Sequence, residues 1–256
     1  MILRRLAQNL KDQNWTAIGI EFVLLVLGVF LGIQAANWNE QRETEQKAAV
    51  FTERLIDDLR REVLRRDRQV KYYNEVRAAG EAAASALEGT TPSSNEALLV
   101  NTYRATQYMH TASQRATYDE LVSTGSIALV TDRRLVAIAV ATYGNASSED
   151  LRLQRDDSPY RALFRMSVPI DIQRVLARQC GDRFTADPGA PMLDFPCQLE
   201  LQASDVDRAA EALREDPETL RLLRRRLADI DTLLSDLGRN NHNLRESLAA
   251  IAGDGP

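Results

Sequence analysis

The hydrophobic and polar positions divide the chain into one apolar run and a long series of amphipathic segments. The run AIGIEFVLLVLGVFLGIQAA is apolar except for Glu21 and Gln34. At a rise of about 1.5 Å per residue, about 20 helical residues span roughly 30 Å, the thickness of the hydrocarbon layer of a bilayer. Trp15 and Trp38 lie at its two ends, where indole rings favour the headgroup zone. The pattern predicts a transmembrane helix over residues 17–38.

Two other interpretations of the run are open. A cleaved signal peptide has an apolar region of roughly 7 to 15 residues, shorter than this run, although Gln34-Ala35-Ala36 is a weak cleavage site. A buried helix of a soluble core is disfavoured because the other helical segments are strongly amphipathic. We therefore expect an uncleaved anchor in the lipid bilayer.

The flanking charges predict the orientation of this helix. Arg4, Arg5 and Lys11 precede the run, whereas the basic residues after it are more distant and are diluted by glutamates. Lys and Arg tend to remain in the cytoplasm. We expect residues 1–16 in the cytoplasm and residues 39–256 in the periplasm, with the protein in the bacterial inner membrane.

The two cysteines support the same orientation. Cys180 and Cys197 are the only cysteines, and they bracket a loop rich in Pro and Gly over residues 180–197. Such a pair predicts a disulfide in an oxidising compartment, worth about 3 kcal/mol. The alternative is two reduced thiols in a cytosolic domain.

One side of the apolar run carries small residues. Spacings of three and four place Glu21, Leu25, Gly28, Gly32 and Ala35 on one helix face. Small residues let two backbones approach closely in lipid, which predicts self-association or docking on a partner membrane protein. The alternatives are a chance G-x-x-x-G and, for the glutamate, a carboxylate at the membrane edge without a role.

Two stretches of the chain resemble a family of uncharacterised bacterial single-pass membrane proteins. The first carries Gly-x-Glu at 19–21, the glycines of the apolar run and Asn-Trp-Asn-Glu at 37–40. The second is Thr-Tyr-Asp-Glu-Leu at 117–121, followed by the Ser, Gly, Leu, Asp and Leu of residues 123–135. This resemblance implies the single-pass topology and implies no catalytic activity.

Periodicity predicts an all-α fold in which the membrane helix continues into a long helix over 39–88. An apolar stripe lies on that helix, and the charged cluster Arg65–Arg68 that breaks it should be solvated. Gly89 should end the helix. The members of the stripe are Phe51, Leu55, Leu59, Val63, Val70, Tyr73 and Val76.

A helical core is predicted over 93–180. Its helices should begin at a Ser93–Glu96 capping box and run to Met109, then cover 113–123 with a left-handed cap at Gly125. Two more should cover 131–143 and 145–156, the former apolar nearly all round and central to the core. Short helices should start at Pro159 and Pro169, before an irregular surface loop at 180–197.

The chain should close with a coiled-coil-like helix over 217–251. Its apolar seam repeats at spacings of three and four, and a break near Gly238 competes with a continuous helix. The seam should pack antiparallel on residues 45–87 of the same chain; the alternative is pairing between copies. Its members are Leu220, Leu223, Leu227, Ile230, Leu234, Leu237, Asn241, Leu244, Leu248 and Ile251.

Composition excludes some functions and leaves three. The net charge of −5 and the absence of a basic patch with aromatics argue against nucleic-acid binding. The two histidines, His110 and His242, lack zinc-type spacing, and no phosphate loop or nucleophile elbow occurs, so we predict no catalytic residue, metal, cofactor or identified small molecule. The candidates are a membrane-anchored helical scaffold or accessory subunit, a periplasmic ligand-sensing domain that acts through a partner, and, least favoured, an unrecognised hydrolase.

Overall fold

The structure, a computed structural model, describes residues 15–109, 111–144, 158–184, 191–193 and 195–253. These residues form eight α-helices, one 3₁₀ turn and a single pair of two-residue strands, so the predicted all-α fold is confirmed. In chain order the elements are α1 (Trp15–Leu87), α2 (Asn95–Ala105), α3 (Ala116–Ser123), a 3₁₀ turn (Ser126–Leu129), α4 (Arg133–Tyr143), α5 (Pro159–Ser167), α6 (Ile170–Gln179), β1 (Arg183–Phe184), β2 (Pro191–Met192), α7 (Ala203–Glu215) and α8 (Pro217–Gly253).

Helix α1 is one unbroken helix of 73 residues, about 110 Å long. It ends at Leu87, and Gly89 follows with a φ of 71°, a left-handed conformation that suits glycine. The predicted stop is therefore confirmed. The rest of the protein, which we call the body, packs on α1 only from about Phe51 onward.

Helix α8 runs antiparallel to α1 along the whole body. At the C-terminal end of α1, Arg224 pairs with Glu88 (2.9 Å). Further along α8, Asn241 donates a hydrogen bond to Asp67 (2.7 Å). Leu244 then packs near Leu55 at the other end of the body. The apolar seam of α8 therefore lies on α1 of the same chain, as preferred from the sequence.

The buried face of α8 is wider than the predicted seam. Leu223, Ile230, Asn241 and Leu244 are buried, while the other seam residues are partly buried. Thr219, Arg226 and Leu233 are also buried, and α8 packs on α5 as well as on α1. The helix continues through Gly238 without the break that the sequence left open.

Several helix boundaries differ from the predictions. The N-cap of α2 is Ser94, whose side chain accepts the N–H of Ala97, so the capping box predicted from Ser93 is wrong. Helix α2 ends at Ala105 and not at Met109, because Met109 packs in the core beside Tyr72 and Tyr73. Helix α3 begins at Ala116 and not at residue 113.

Other local predictions agree with the structure. Gly125 has a φ of 70° after α3, the predicted left-handed cap. Pro159 opens α5, and Pro169 immediately precedes α6. Asp216 accepts the N–H of Glu218 at the start of α8. The helix predicted over 145–156 lies outside the described residues.

The prediction that α4 is central to the core is wrong, because this helix lies at the edge of the body. Leu135, Ala139 and Tyr143 are buried, but Val140 is 45% exposed. The helix packs on α1 and α8, whereas Ala137, Val140 and Ala141 are exposed. Apolar residues all round a helix thus did not guarantee burial here.

The Cys180–Cys197 disulfide is present, with its Cα atoms 5.4 Å apart. It closes a segment over 180–197 that we call the strap. The prediction of an irregular surface loop is wrong in part, since β1 and β2 pair antiparallel within it, and Cys180 and Leu193 are almost completely buried.

Candidate functional site

The first half of α1 extends away from the described helices of the body. Its apolar side chains are open to the surroundings; Phe22 is 67% exposed and Leu31 is 64% exposed. Among the described residues this is the one helix long and apolar enough to cross a membrane, and none of its most apolar stretch is buried. A buried helix of a soluble core is therefore excluded, and the long apolar helix indicates membrane anchoring.

The predicted packing face lies open along this half. A side chain added at Gly28 or Gly32 would meet no atom within 4 Å. Leu25 is 56% exposed. The Oε2 atom of Glu21 accepts no hydrogen bond from any described residue. Leu25, Gly28, Gly32 and Ala35 are thus exposed, whereas Glu21 is partly buried.

The body packs against the opposite side of α1. From Gly28 to Leu64 there are 36 residues, about ten turns, so both lie on one line of the helix. Leu64 is 54% exposed. Leu55 and Tyr73, about 7.5 and 12.5 turns from Gly28, lie on the opposite line and are completely buried. The face of α1 that carries Gly28 therefore continues toward Leu64 as a face that the body leaves uncovered.

A polar stretch separates the apolar half from the body. Residues 39–50, which we call the stalk, extend about 18 Å and are exposed apart from a partly buried Ala48. Within it Gln41 donates a hydrogen bond to Glu45 (2.9 Å), and Asn39 donates one to Glu43 (3.3 Å). Single-helix stability in the stalk therefore depends on neighbours one turn apart.

Two carboxylates of α1 hold the segment before α3. Glu62, 1% exposed, accepts hydrogen bonds from Arg65 Nε (2.8 Å), Arg66 Nε (3.1 Å) and the backbone N–H of Gln114 (3.2 Å). Asp58 accepts the N–H of Thr117 (2.9 Å), near the N-terminus of α3. The side chain of Arg115, the N-cap residue of α3, makes no capping hydrogen bond. The long helix thus caps the short one.

This arrangement corrects the prediction for the arginine cluster. Arg65–Arg68 are partly buried and not solvated, because Arg65 and Arg66 bind the buried Glu62. Burial raises the pKa of Glu62, but the hydrogen bond from Arg65 and the two guanidinium charges outweigh it and hold that pKa below its ordinary value. No local sequence pattern marks Asp58 and Glu62 as buried, although both lie on the same face as the predicted stripe.

A cleft of about 510 Å³ opens on the uncovered side of α1, between α1, α2 and the strap. Its polar lining comes from Lys71, Asn74 and Glu75 of α1 and from Asn101 and Arg104 of α2. Ala78, Ala79 and Leu193 complete the lining. Its volume falls within the range of about 300–1,000 Å³ typical of ligand sites.

The strap forms one wall of this cleft. The N–H of Leu193 donates to Glu75 Oε2 (2.7 Å), and Leu193 itself is 1% exposed. Arg104 donates to the carbonyl oxygens of Phe195 (2.8 Å) and Cys180 (3.3 Å), and its guanidinium lies 4.9 Å from the Phe195 ring centroid. These bonds and the disulfide fix the wall in place.

A hydrogen bond joins the start of the strap to the buried Tyr72 of α1. The hydroxyl of Tyr72 donates to Asp182 Oδ1 (2.8 Å). Burial raises the pKa of Asp182, and the hydrogen bond from Tyr72 offsets part of that rise. Burial and the nearby Asp182 carboxylate raise the pKa of Tyr72 well above its ordinary value. The pair therefore anchors the start of the strap to α1.

The described residues contain no group of three or more His, Cys, Asp or Glu side chains placed to hold a metal ion. His242 is exposed and lies 3.1 Å from Glu246, one turn further along α8. His110 lies outside the described residues. The absence of catalytic residues and of a cofactor stays a prediction.

The sequence profile of a family of unknown function, DUF6090, matches residues 21–146, just under half of the chain. No curated protein matches, and no solved structure matches. The matched stretch runs from the apolar half of α1 through α4, so it includes most of the cleft lining but neither the strap nor α8.

Proposed function

We propose that the protein is a membrane-anchored helical scaffold or accessory subunit of the bacterial inner membrane. Its N-terminus lies in the cytoplasm, its body stands in the periplasm, and α1 associates with a second copy or with a partner membrane protein. The observation that carries this proposal is the uncovered face of α1, which continues from Gly28 to Leu64 while the body packs on the opposite side.

Two features support the topology. Trp15 and Trp38 are separated by roughly 34 Å along the helix, so both rings can lie in headgroup zones of one bilayer. The Cys180–Cys197 disulfide is suited to an oxidising compartment such as the periplasm. The stalk would then hold the body clear of the membrane surface.

The shape of the apolar half supports association. Gly28 and Gly32 leave room for a second backbone to approach, and van der Waals packing drives association in lipid. Glu21 lies on the same face inside the apolar layer, where a carboxylate is costly without a partner. A docked helix would supply that partner.

Association can be tested with glycine variants on opposite faces. We expect Gly28→Ile/Gly32→Ile to abolish association, because the larger side chains keep the backbones apart. Gly19→Ile is the matched control, since residue 19 lies nine residues, about 2.5 turns, from Gly28 and so on the opposite face. The measurement is mass by light scattering and copurification of tagged with untagged chains in mild detergent. A wild-type protein that is a clean monomer without any partner would contradict the proposal, as would an unchanged double variant.

The topology has its own test. The protein should stay in the membrane fraction after a carbonate wash, and protease added to spheroplasts should digest the body. A mature chain that starts after residue 36 would instead indicate a cleaved signal peptide. Free thiols in protein from intact cells would contradict the periplasmic location of the disulfide.

The cleft favours a second candidate function, ligand sensing by the body. Its wall is fixed by a disulfide and by four hydrogen-bonding or ring contacts, so the cleft exists without a ligand. A ligand would stabilise the body, and a partner on the uncovered face of α1 would receive the signal. Saturable thermal stabilisation by a solute is the measurement that separates this function from a purely structural one.

A further inference from the structure

We propose that the cleft between α1, α2 and the strap binds a small organic carboxylate, with the ammonium group of Lys71 on the carboxylate and the amide of Asn101 on a neighbouring polar group. The proposal rests on the second candidate function, ligand binding by the body. It does not depend on association of the membrane helix.

The strap leaves Lys71 without its natural counter-ion. Glu75 lies one turn from Lys71 on α1, a spacing at which lysine and glutamate commonly pair. In the structure Glu75 instead accepts the N–H of Leu193 through Oε2 (2.7 Å). Lys71 makes no ion pair or hydrogen bond with any described residue. Lys71 is an exposed residue of the cleft lining, so its ammonium is available to a ligand.

Asn101 adds a second unused polar group. It lies on α2, across the cleft from Lys71, and is partly buried. Its amide makes no hydrogen bond within the described part of the chain. A partly buried amide ordinarily has a partner, either water or a ligand. One point charge and one amide on facing walls suit a carboxylate next to a hydroxyl, carbonyl or amine.

The rest of the lining limits the size of the ligand. Ala78 and Ala79 contribute methyl groups only, which leaves the volume of about 510 Å³ between the polar walls. Arg104 and Glu75 are engaged in holding the strap, so they shape the cleft and contribute charge without having to move. A preformed site of this kind loses little conformational entropy on binding.

The test uses the full oxidised chain in mild detergent and follows binding by calorimetry and thermal shift. The probes are hydroxy-, keto- and amino-carboxylates of three to six carbons, each with its primary amide. We expect saturable binding of at least one carboxylate and about tenfold weaker binding of its amide. Lys71→Gln should weaken binding by about the same factor, and Asn101→Ala should weaken it less. Lys47→Gln, at an exposed lysine of the stalk, should bind like the wild type.

The outcomes separate the two levels of the proposal. If an amide binds as tightly as its carboxylate, or if Lys71→Gln binds as tightly as the wild type, the carboxylate assignment is wrong but ligand binding stands. If no probe of either series binds to the wild type, the carboxylate assignment is overturned, whereas the second candidate function is decided by thermal stabilisation with other solutes. Neither result bears on association of the membrane helix, which the glycine variants test separately.

Discussion

The two halves of α1 share one backbone and differ in everything around it. In residues 15–50 the described side chains are exposed except those of Ile18, Glu21 and Ala48, which are partly buried. Residues 51–87 carry a face that is buried from Leu55 to Ala84 by α2, α3, α4 and α8. Residues 51–87, the upper half, find their packing partners within the same chain. Residues 15–50, the lower half, must find theirs in lipid or in another chain.

The difference follows from the side-chain pattern. The upper half has a stripe with a period near 3.6 and polar residues opposite it, so one face finds a core. The apolar half is hydrophobic all round, which suits a uniform apolar surrounding. The stalk is polar all round and suits water. Variants in matched positions of the two halves can test this division.

The largest effect is expected at the buried carboxylate of the upper half. Glu62→Ala leaves the partly buried guanidinium groups of Arg65 and Arg66 without their acceptor and frees the segment before α3. Removing one partner of a buried ion pair costs about 3–5 kcal/mol. Denaturant unfolding of the body should show this loss, and Glu53→Ala, at an exposed position of the same helix, should change stability by less than about 0.5 kcal/mol. Equal losses of stability in Glu62→Ala and Glu53→Ala would contradict the role assigned to Glu62.

Truncation of leucines should separate the halves almost as clearly. Leu59→Ala creates a cavity in the core beside Leu121 and Leu135, at a cost of about 2–5 kcal/mol to the body. Leu31→Ala removes a side chain that is 64% exposed and contacts no part of the body. The unfolding free energy of the body should therefore stay the same in the second variant. A loss at Leu31 would mean that the apolar half packs on the body.

The disulfide should matter to the body and not to the anchor. Cys180→Ala/Cys197→Ala opens a loop with a sequence separation of 17, and the lost constraint on the unfolded chain is worth about 3 kcal/mol. The melting temperature of the body should fall accordingly. Retention in carbonate-washed membranes should be unchanged, and release of the variant would show that anchoring depends on the body.

Acid should weaken the upper half through Glu62. Because the pKa of Glu62 is lowered in the folded state, its contribution is fully present above its ordinary value of 4.5 and is lost as the pH falls through the folded value. Asp182, whose pKa is raised in the folded state, has the opposite effect on stability. The contribution of Glu62 is therefore obtained by comparing the wild type with a Glu62 variant. We expect the unfolding free energy of the wild type to fall more steeply below pH 4.5 than that of Glu62→Gln. Parallel curves would contradict the assignment.

Sequence patterns predicted the elements that depend on local spacing. The stripe of α1, its end near Gly89 and the cap at Gly125 follow from residues within a few positions of each other. The disulfide could be predicted because Cys180 and Cys197 are the only two cysteines in the sequence. The packing of α8 on α1 was preferred because it buries both apolar stripes without a second chain.

The remaining features depend on residues far apart in the chain. Glu62 is bound by Gln114, 52 positions away, and nothing near Glu62 distinguishes it from a solvated glutamate. Arg226, 5% exposed, donates to the carbonyl oxygens of Ala105 (3.4 Å) and Gln107 (2.9 Å) at the end of α2, a use of arginine that no local pattern shows. The cleft combines two helices with the strap, so its lining could be recognised only in the folded chain.

The smallest effects are expected at the glycines, where a substitution should cost stability in the body-packed half of α1 and leave the body unchanged in the apolar half. A Cβ at Gly80 would lie 2.8 Å from Leu227 Cδ2, so Gly80→Ala must displace that side chain and should cost about 1 kcal/mol or more. Gly238→Ala meets nothing within 4 Å on the exposed side of α8 and should stabilise the body by about 0.5–1 kcal/mol through helix propensity. Gly32→Ala also meets nothing within the chain, so it should leave the unfolding of the body unchanged. If Gly32→Ala nevertheless lowers the associated fraction in detergent, the contact it disturbs belongs to another chain, as expected for a helix whose own body lies on the opposite side.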